Sequence, residues 1–177
     1  MEHICGLAGN ASIELCRPLR TLKEEHKPLR EQMEFLYNLS VSIEEEKDSE
    51  KMKEQLENLR DGIVQFVSQL DPHSEKEEGV LFPMVAKYTG KDVGPIAVME
   101  YEHDQAKSNL RTFLEKTSQL EAEVTINELI QMTQLYNEAF HILQGHFMKE
   151  EEILFPMAEQ LLSNDEKQSL DIQINSK

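Results

Sequence analysis

The strongest constraint on this chain is a pattern that occurs twice. HSEKEEGVLFPM, from His73 to Met84, and HFMKEEEILFPM, from His146 to Met157, agree at the histidine, the lysine, two glutamates, and the closing Leu, Phe, Pro and Met. A glutamate-histidine pair precedes each copy, Glu25-His26 and Glu102-His103. The sequence therefore reads as a duplicated hairpin of helices, with a lone histidine on the first arm and an HxxxE motif on the second. On a helix that turns about 100° per residue, positions four apart differ by roughly 40°. His73 with Glu77, and His146 with Glu150, thus each present a nitrogen and a carboxylate from one face. Leu70, Leu81, Leu143 and Leu154 share those faces and turn them toward a core. Four buried imidazoles and two buried carboxylates carry a heavy desolvation penalty, and metal coordination is the usual compensation.

The segments around the repeat are rich in Leu, Glu, Lys, Gln and Met, strong helix formers, and strand-like alternation is nearly absent. Apolar spacing predicts helices over about Pro18–Glu46 and from Met52 through His73 to about Pro83 or a turn beyond. A third runs over about Ile96–Gln119, after a turn cluster in which Gly94-Pro95 sets a proline at the helix entry. A fourth runs from near Thr125 to Phe155-Pro156 or slightly past. Ser163 followed by Glu166 has capping-box form and predicts a short extra C-terminal helix. The fold class expected is all-α: an antiparallel four-helix bundle, up-down-up-down, in a single domain over 1–177 with its core at about 19–160. Pro28, Pro72 and Gly145 stand beside the key histidines and are read as widening the bundle at that level.

Charge and composition narrow the function. With 18 basic against 34 acidic residues, a formal charge of -16, the chain has the wrong sign for nucleic acid or an anionic membrane surface. No stretch approaches the length of a membrane span, and the acidic start lacks a signal-peptide pattern, so a cytoplasmic location is expected. Cys5 and Cys16 are the only cysteines and are read as reduced thiols. Imidazole plus carboxylate without thiolate suits iron, manganese or zinc, and two ions bridged by two glutamates fit a bundle core better than one ion with six ligands. A ferritin-type site needs ExxH on two helices, and only Glu100-His103 has that spacing. Glu78 and Glu151, roughly 140° from their histidines, and His3 and His141 are read as lying outside the ligand set. Buried carboxylates are expected to have raised pKa values, so that the metal-free protein gains stability on mild acidification.

The doubled HxxxEExxLFP motif with its two EH pairs resembles the hemerythrin-like, or HHE cation-binding, domain over about residues 19–160. The resemblance implies a four-helix bundle holding a non-haem di-iron centre with an oxo or hydroxo bridge. His26, His73, His103 and His146 would supply nitrogens, and Glu77 and Glu150 would bridge the two irons. A small diatomic ligand, O2 or NO, is the implied partner. Oxygen-carrying hemerythrins have a further histidine where this chain has Lys107, and an aspartate where it has Glu151. The four-His, two-Glu set is more similar to bacterial proteins implicated in repairing iron centres after nitric oxide or oxidative damage. Those also carry an amino-terminal cysteine-containing domain, for which the segment before Pro18 is too short. Expected functions are thus diatomic binding or sensing, or iron handling under oxidative or nitrosative stress. The alternatives are a ferroxidase or peroxide-consuming enzyme, an iron-centre repair protein, or a helical interaction module without metal.

Overall fold

Residues 13–118, 120 and 124–176 are described by the structure, a computed structural model, and all their regular structure is helical. The long helices are α1 (Arg17–Glu45), α2 (Ser49–Lys76), α4 (Pro95–Thr117) and α5 (Ile126–Lys149). Short helices α3 (Phe82–Thr89) and α6 (Phe155–Leu161) follow α2 and α5, and α7 (Asn164–Asn175) ends the described chain. Each start has a local cause. Pro18 and Pro95 occupy first turns, where a missing N–H costs nothing. The Asp48 carboxylate accepts from the Glu50 and Lys51 amides, and Thr125–Glu128 and Ser163–Glu166 form capping boxes. The C-terminal helix expected from Ser163 is present, and Gly90 ends α3 at φ 85°, a conformation that disfavours side chains.

The long helices form a bundle in which α1 packs on α2 and α5, and α4 on α5 and α2. Buried residues separate into two apolar clusters. One fills the far half with Met33, Leu36, Phe66, Phe113, Tyr136 and their neighbours. The other gathers Leu19, Leu22, Phe82, Ile96, Phe155 and Leu170 at the near end, where α7 covers α1. Between them His26, His73, His103 and His146, each at most 3% exposed, form a polar layer with one residue from each long helix.

Two boundaries correct the sequence reading. The helix begun at Ser49 does not run on in α register to Pro83: over Glu77–Leu81 it widens to a π turn, and the Phe82 amide donates to the Glu77 carbonyl. Glu150–Leu154 does the same, Phe155 donating to Glu150. The proline after each Phe explains the placement. Pro83 and Pro156 have no N–H, and in α register their rings would press on the carbonyl four residues back. Inserting one residue per turn relieves that clash, and such π bulges concentrate at functional sites. The departure from α register thus lies after the histidines, whereas Pro28 and Pro72 sit inside uninterrupted helices. Helix α4 ends at Thr117, while Gln119, His3 and Cys5 lie outside the described residues.

Candidate metal centre

All six side chains singled out by the repeat converge in the polar layer, and Glu77 and Glu150 are fully buried. Their donor atoms sort into two sets. His26, His73, Glu77 and Glu150 each bring one atom within 4.8 Å of the others, and so do Glu77, His103, His146 and Glu150. Each glutamate divides its two oxygens between the sets. Glu77 Oε1 lies 3.3 Å from His73 Nε2, and its Oε2 lies 3.6 Å from His103 Nε2. Glu150 Oε2 lies 3.3 Å from His26 Nε2, and its Oε1 lies 3.2 Å from His146 Nε2. His26 Nε2 and His73 Nε2 are 3.1 Å apart. Two nitrogens about 2.1 Å from one ion and at right angles would stand about 3.0 Å apart.

Whether these residues fit a cation is decided by what else satisfies them. All four oxygens of Glu77 and Glu150, and His146 Nε2, are buried without a hydrogen-bond partner. Buried polar atoms are ordinarily paired, and four orphaned carboxylate oxygens in one layer call for a cation. The donor set of imidazole and carboxylate suits a first-row divalent metal.

The outward nitrogens are fully engaged. His26 Nδ1 donates to Glu151 at 2.8 Å, His73 Nδ1 to Glu25 at 2.9 Å, His103 Nδ1 to Glu78 at 2.5 Å and His146 Nδ1 to Glu102 at 3.1 Å. Each carboxylate also receives a cation: Arg30 on Glu151, Lys76 on Glu25, Lys107 on Glu78, and Lys149 on Glu102. A proton fixed on Nδ1 leaves the Nε2 lone pair facing the layer, the tautomer a metal requires. Glu25 and Glu102 join histidines of their own hairpin, whereas Glu78 and Glu151 reach across to the other. The sequence reading left Glu78 and Glu151 out of the ligand set, and here they accept from the outward nitrogens of His103 and His26. It missed Glu25 and Glu102, whose signal was their place beside a repeated histidine. Lys107, where oxygen carriers have a histidine, is tied to Glu78. His141 is exposed, edge-on to Tyr37 and Phe140 and away from the layer.

Electrostatics correct another expectation. Burial works to raise the Glu150 pKa, but the His146 charge overrides it and holds the carboxylate far below its usual range. Burial would lower the pKa of His73, yet the charge of Glu77 and the hydrogen bond to Glu25 raise it to about 10. His146 rises to about 9 through Glu150 and Glu102. Without metal, protons on these imidazoles neutralise the layer. Cys16 is free, its thiol pushed up to about 11 by burial.

Against protein-family models, the hemerythrin HHE cation binding domain matches residues 17–158. The chain belongs to the hemerythrin HHE cation-binding family. The hemerythrin family binds iron, and the two His/Glu groups of this layer are ones that could hold a metal ion. Among curated proteins, this hemerythrin-like chain is similar to the iron-sulfur cluster repair protein YtfE of Escherichia coli O157:H7. It is 34% identical to it over 106 residues, 55% of this chain and 47% of that protein. The YtfE protein of Pectobacterium atrosepticum is 32% identical over 102 residues, 56% of this chain and 46% of that protein. The chain spans about half the length of the curated relatives it matches. No helix among the described residues is long and apolar enough to cross a membrane.

Proposed function

We propose that the chain is a cytoplasmic non-haem di-iron protein, a single hemerythrin-like domain over 1–177 with its long helices up-down-up-down. It binds or senses O2 or NO, or handles iron, under oxidative or nitrosative stress. The observation that carries this reading is that two four-donor sets share both buried glutamates. His26 and His73 would hold one ion and His103 and His146 the other, with Glu77 and Glu150 giving one oxygen to each. When bound, the irons supply redox-active centres with coordination positions that no side chain fills, where a diatomic molecule can bind.

The chain's own residues prepare that chemistry. Glu25, Glu78, Glu102 and Glu151 fix the imidazole tautomers, and against the cost of burial their hydrogen bonds to the histidines, with help from the paired Lys and Arg, hold these carboxylates below their usual range; Glu78 is pushed down to about 2, chiefly by its hydrogen bond to His103. Phe147 stacks on His26 at 4.3 Å and Phe155 at 5.7 Å, while Phe82 flanks His103 at 5.4 Å, so aromatic walls limit water. Anaerobic loading with Fe(II), followed by metal analysis and optical spectra with O2 and NO, tests the proposal. Two irons per chain and new bands with a diatomic are expected; one iron or none, or spectra indifferent to both gases, would overturn it.

A second reading, repair of damaged iron centres, is favoured by the name of the YtfE relatives. Reactivation of a nitric oxide-damaged iron-sulfur enzyme by the loaded protein would support it over binding alone.

A further inference from the structure

The four histidines of the layer are held from outside in two different ways. His73 and His146, the histidines of the HxxxE motifs, donate from Nδ1 to Glu25 and Glu102 on the preceding long helix of their own hairpin. The lone histidines His26 and His103 are served by the opposite hairpin, through Glu151 and Glu78. Both of these glutamates lie in a π turn, and four residues on in each case comes a ring against the same histidine. Phe82, four after Glu78, has its ring 5.4 Å from His103, and Phe155, four after Glu151, lies 5.7 Å from His26 and within 25° of parallel. Helix phase shows what the wide turn does for these rings. Nine residues separate His73 from Phe82, and His146 from Phe155, which in unbroken α register sets each Phe on the far side of its helix from the histidine. Yet both are 0% exposed. The extra residue of the π turn, marked by the hydrogen bonds from Phe82 to Glu77 and from Phe155 to Glu150, takes back roughly 90° and turns each ring inward.

We propose that each π turn is a clamp on the lone histidine of the other hairpin: Glu78 with Phe82 on His103, and Glu151 with Phe155 on His26. Phe82 and Phe155 are thereby positioning residues for the ions of the di-iron reading, on which this proposal rests. The carboxylate fixes which nitrogen carries the proton, but a single hydrogen bond leaves the imidazole free to swing about it. The phenyl ring removes that freedom and keeps Nε2 directed at the layer. One turn supplies both contacts, so tautomer and tilt are set together. The two clamps are not equally needed. His26 also stacks on Phe147 at 4.3 Å, whereas the residue corresponding to Phe147 in the first hairpin is Ser74. Among the described residues Phe82 is the one phenylalanine ring against His103.

Leucine at 82 or 155 keeps the position apolar and removes the flat ring. In metal-free protein, solvent exchange of the histidine Nδ1 protons reads the clamp directly, because NMR follows each histidine separately. Phe82→Leu is expected to speed exchange at His103 roughly tenfold and to leave His73 and His146 unchanged. Phe155→Leu is expected to act in the same way on His26, by a smaller factor because Phe147 remains. Equal acceleration at all four histidines would mark a general loosening and overturn the clamp, as would an unchanged His103 in Phe82→Leu. In protein loaded anaerobically with Fe(II), metal is expected to come away at roughly tenfold less chelator in Phe82→Leu than in wild type, the His103/His146 half-site emptying first by its iron-shifted imidazole signals. Emptying of the His26/His73 half-site first in that variant would sink the crosswise assignment. A wild-type chain that takes up no iron, yet shows the selective exchange, would instead remove the di-iron reading and leave the clamp.

Discussion

The far half of the bundle and the histidine layer are built from the same four helices, yet they are stabilised in opposite ways. The far half is apolar and in unbroken α register, with Phe66 and Phe113 fully buried, so its stability comes from burial and packing whatever is bound. The layer holds four imidazoles and two carboxylates away from water, next to two π turns, and depends on compensating charge. If the layer holds the proposed metal, changes in the two regions should separate by their dependence on it.

The largest effect is expected where metal does not matter. Phe113→Ala should cost about 3–5 kcal/mol by urea unfolding, equally in loaded and metal-free protein; a loss confined to the loaded form would erase the contrast. In the layer, His73→Ala or His146→Ala should lower metal content and remove most of the stabilisation that iron confers. In metal-free protein each should still cost about 3 kcal/mol, because a buried carboxylate loses its partner. His141→Ala should do neither, and full metal retention in both ligand variants would rule out the ligand set.

The third test uses pH. The folded pKa values of His73 and His146 are raised, from 6.5 to about 10 and about 9. Their contribution is therefore complete below pH 6.5 and is lost as pH rises through those folded values. Metal-free protein should lose roughly 1.4 kcal/mol per pH unit per histidine above pH 7, read as a falling melting temperature. A rise from pH 7 to 9 would contradict the protonated layer. The gain on mild acidification expected from raised carboxylate pKa values is thereby corrected: the histidine contribution is already complete below pH 6.5, and the Glu150 carboxylate is held low, not raised. Carboxylates such as Glu78, lowered to about 2, contribute above pH 4.5 and lose their share only as pH falls toward that value.

The smallest expected effect lies outside the ligands. Glu25→Gln should weaken metal binding roughly 10–100-fold, as loss of a partner to a ligand histidine usually does. Competition with a chelator measures it, and an unchanged affinity would reduce Glu25 to a surface ion pair with Lys76.

The helices, the Ser163–Glu166 capping box and the six converging side chains were legible because each is written in local spacing, as His146 is with Glu150. The π turns were not. One extra residue in a turn leaves apolar periodicity almost unchanged over five positions, and only Pro83 and Pro156 hint at it. The glutamates holding the histidines were hidden for another reason. Glu25 is about 100° around the helix from His26, so the histidine it serves is His73 on the neighbouring helix, and no one-dimensional pattern displays that pairing.

The exchange by which Glu78 supports His103, and Glu151 supports His26, has a consequence for how such a molecule is assembled. In a symmetric dimer, residue i of one subunit meets residue j of the other, and j meets i. The two hairpins of this chain obey that rule at their shared layer, like subunits joined by a covalent tether. Neither hairpin owns a complete half-site: His26 borrows its carboxylate from the second and His103 from the first. Cut in the segment between α3 and α4, the protein should yield two hairpins that complement each other; the second paired with its own twin would meet Lys107 where Arg30 stood, and the first would meet Ser74 where Phe147 stood.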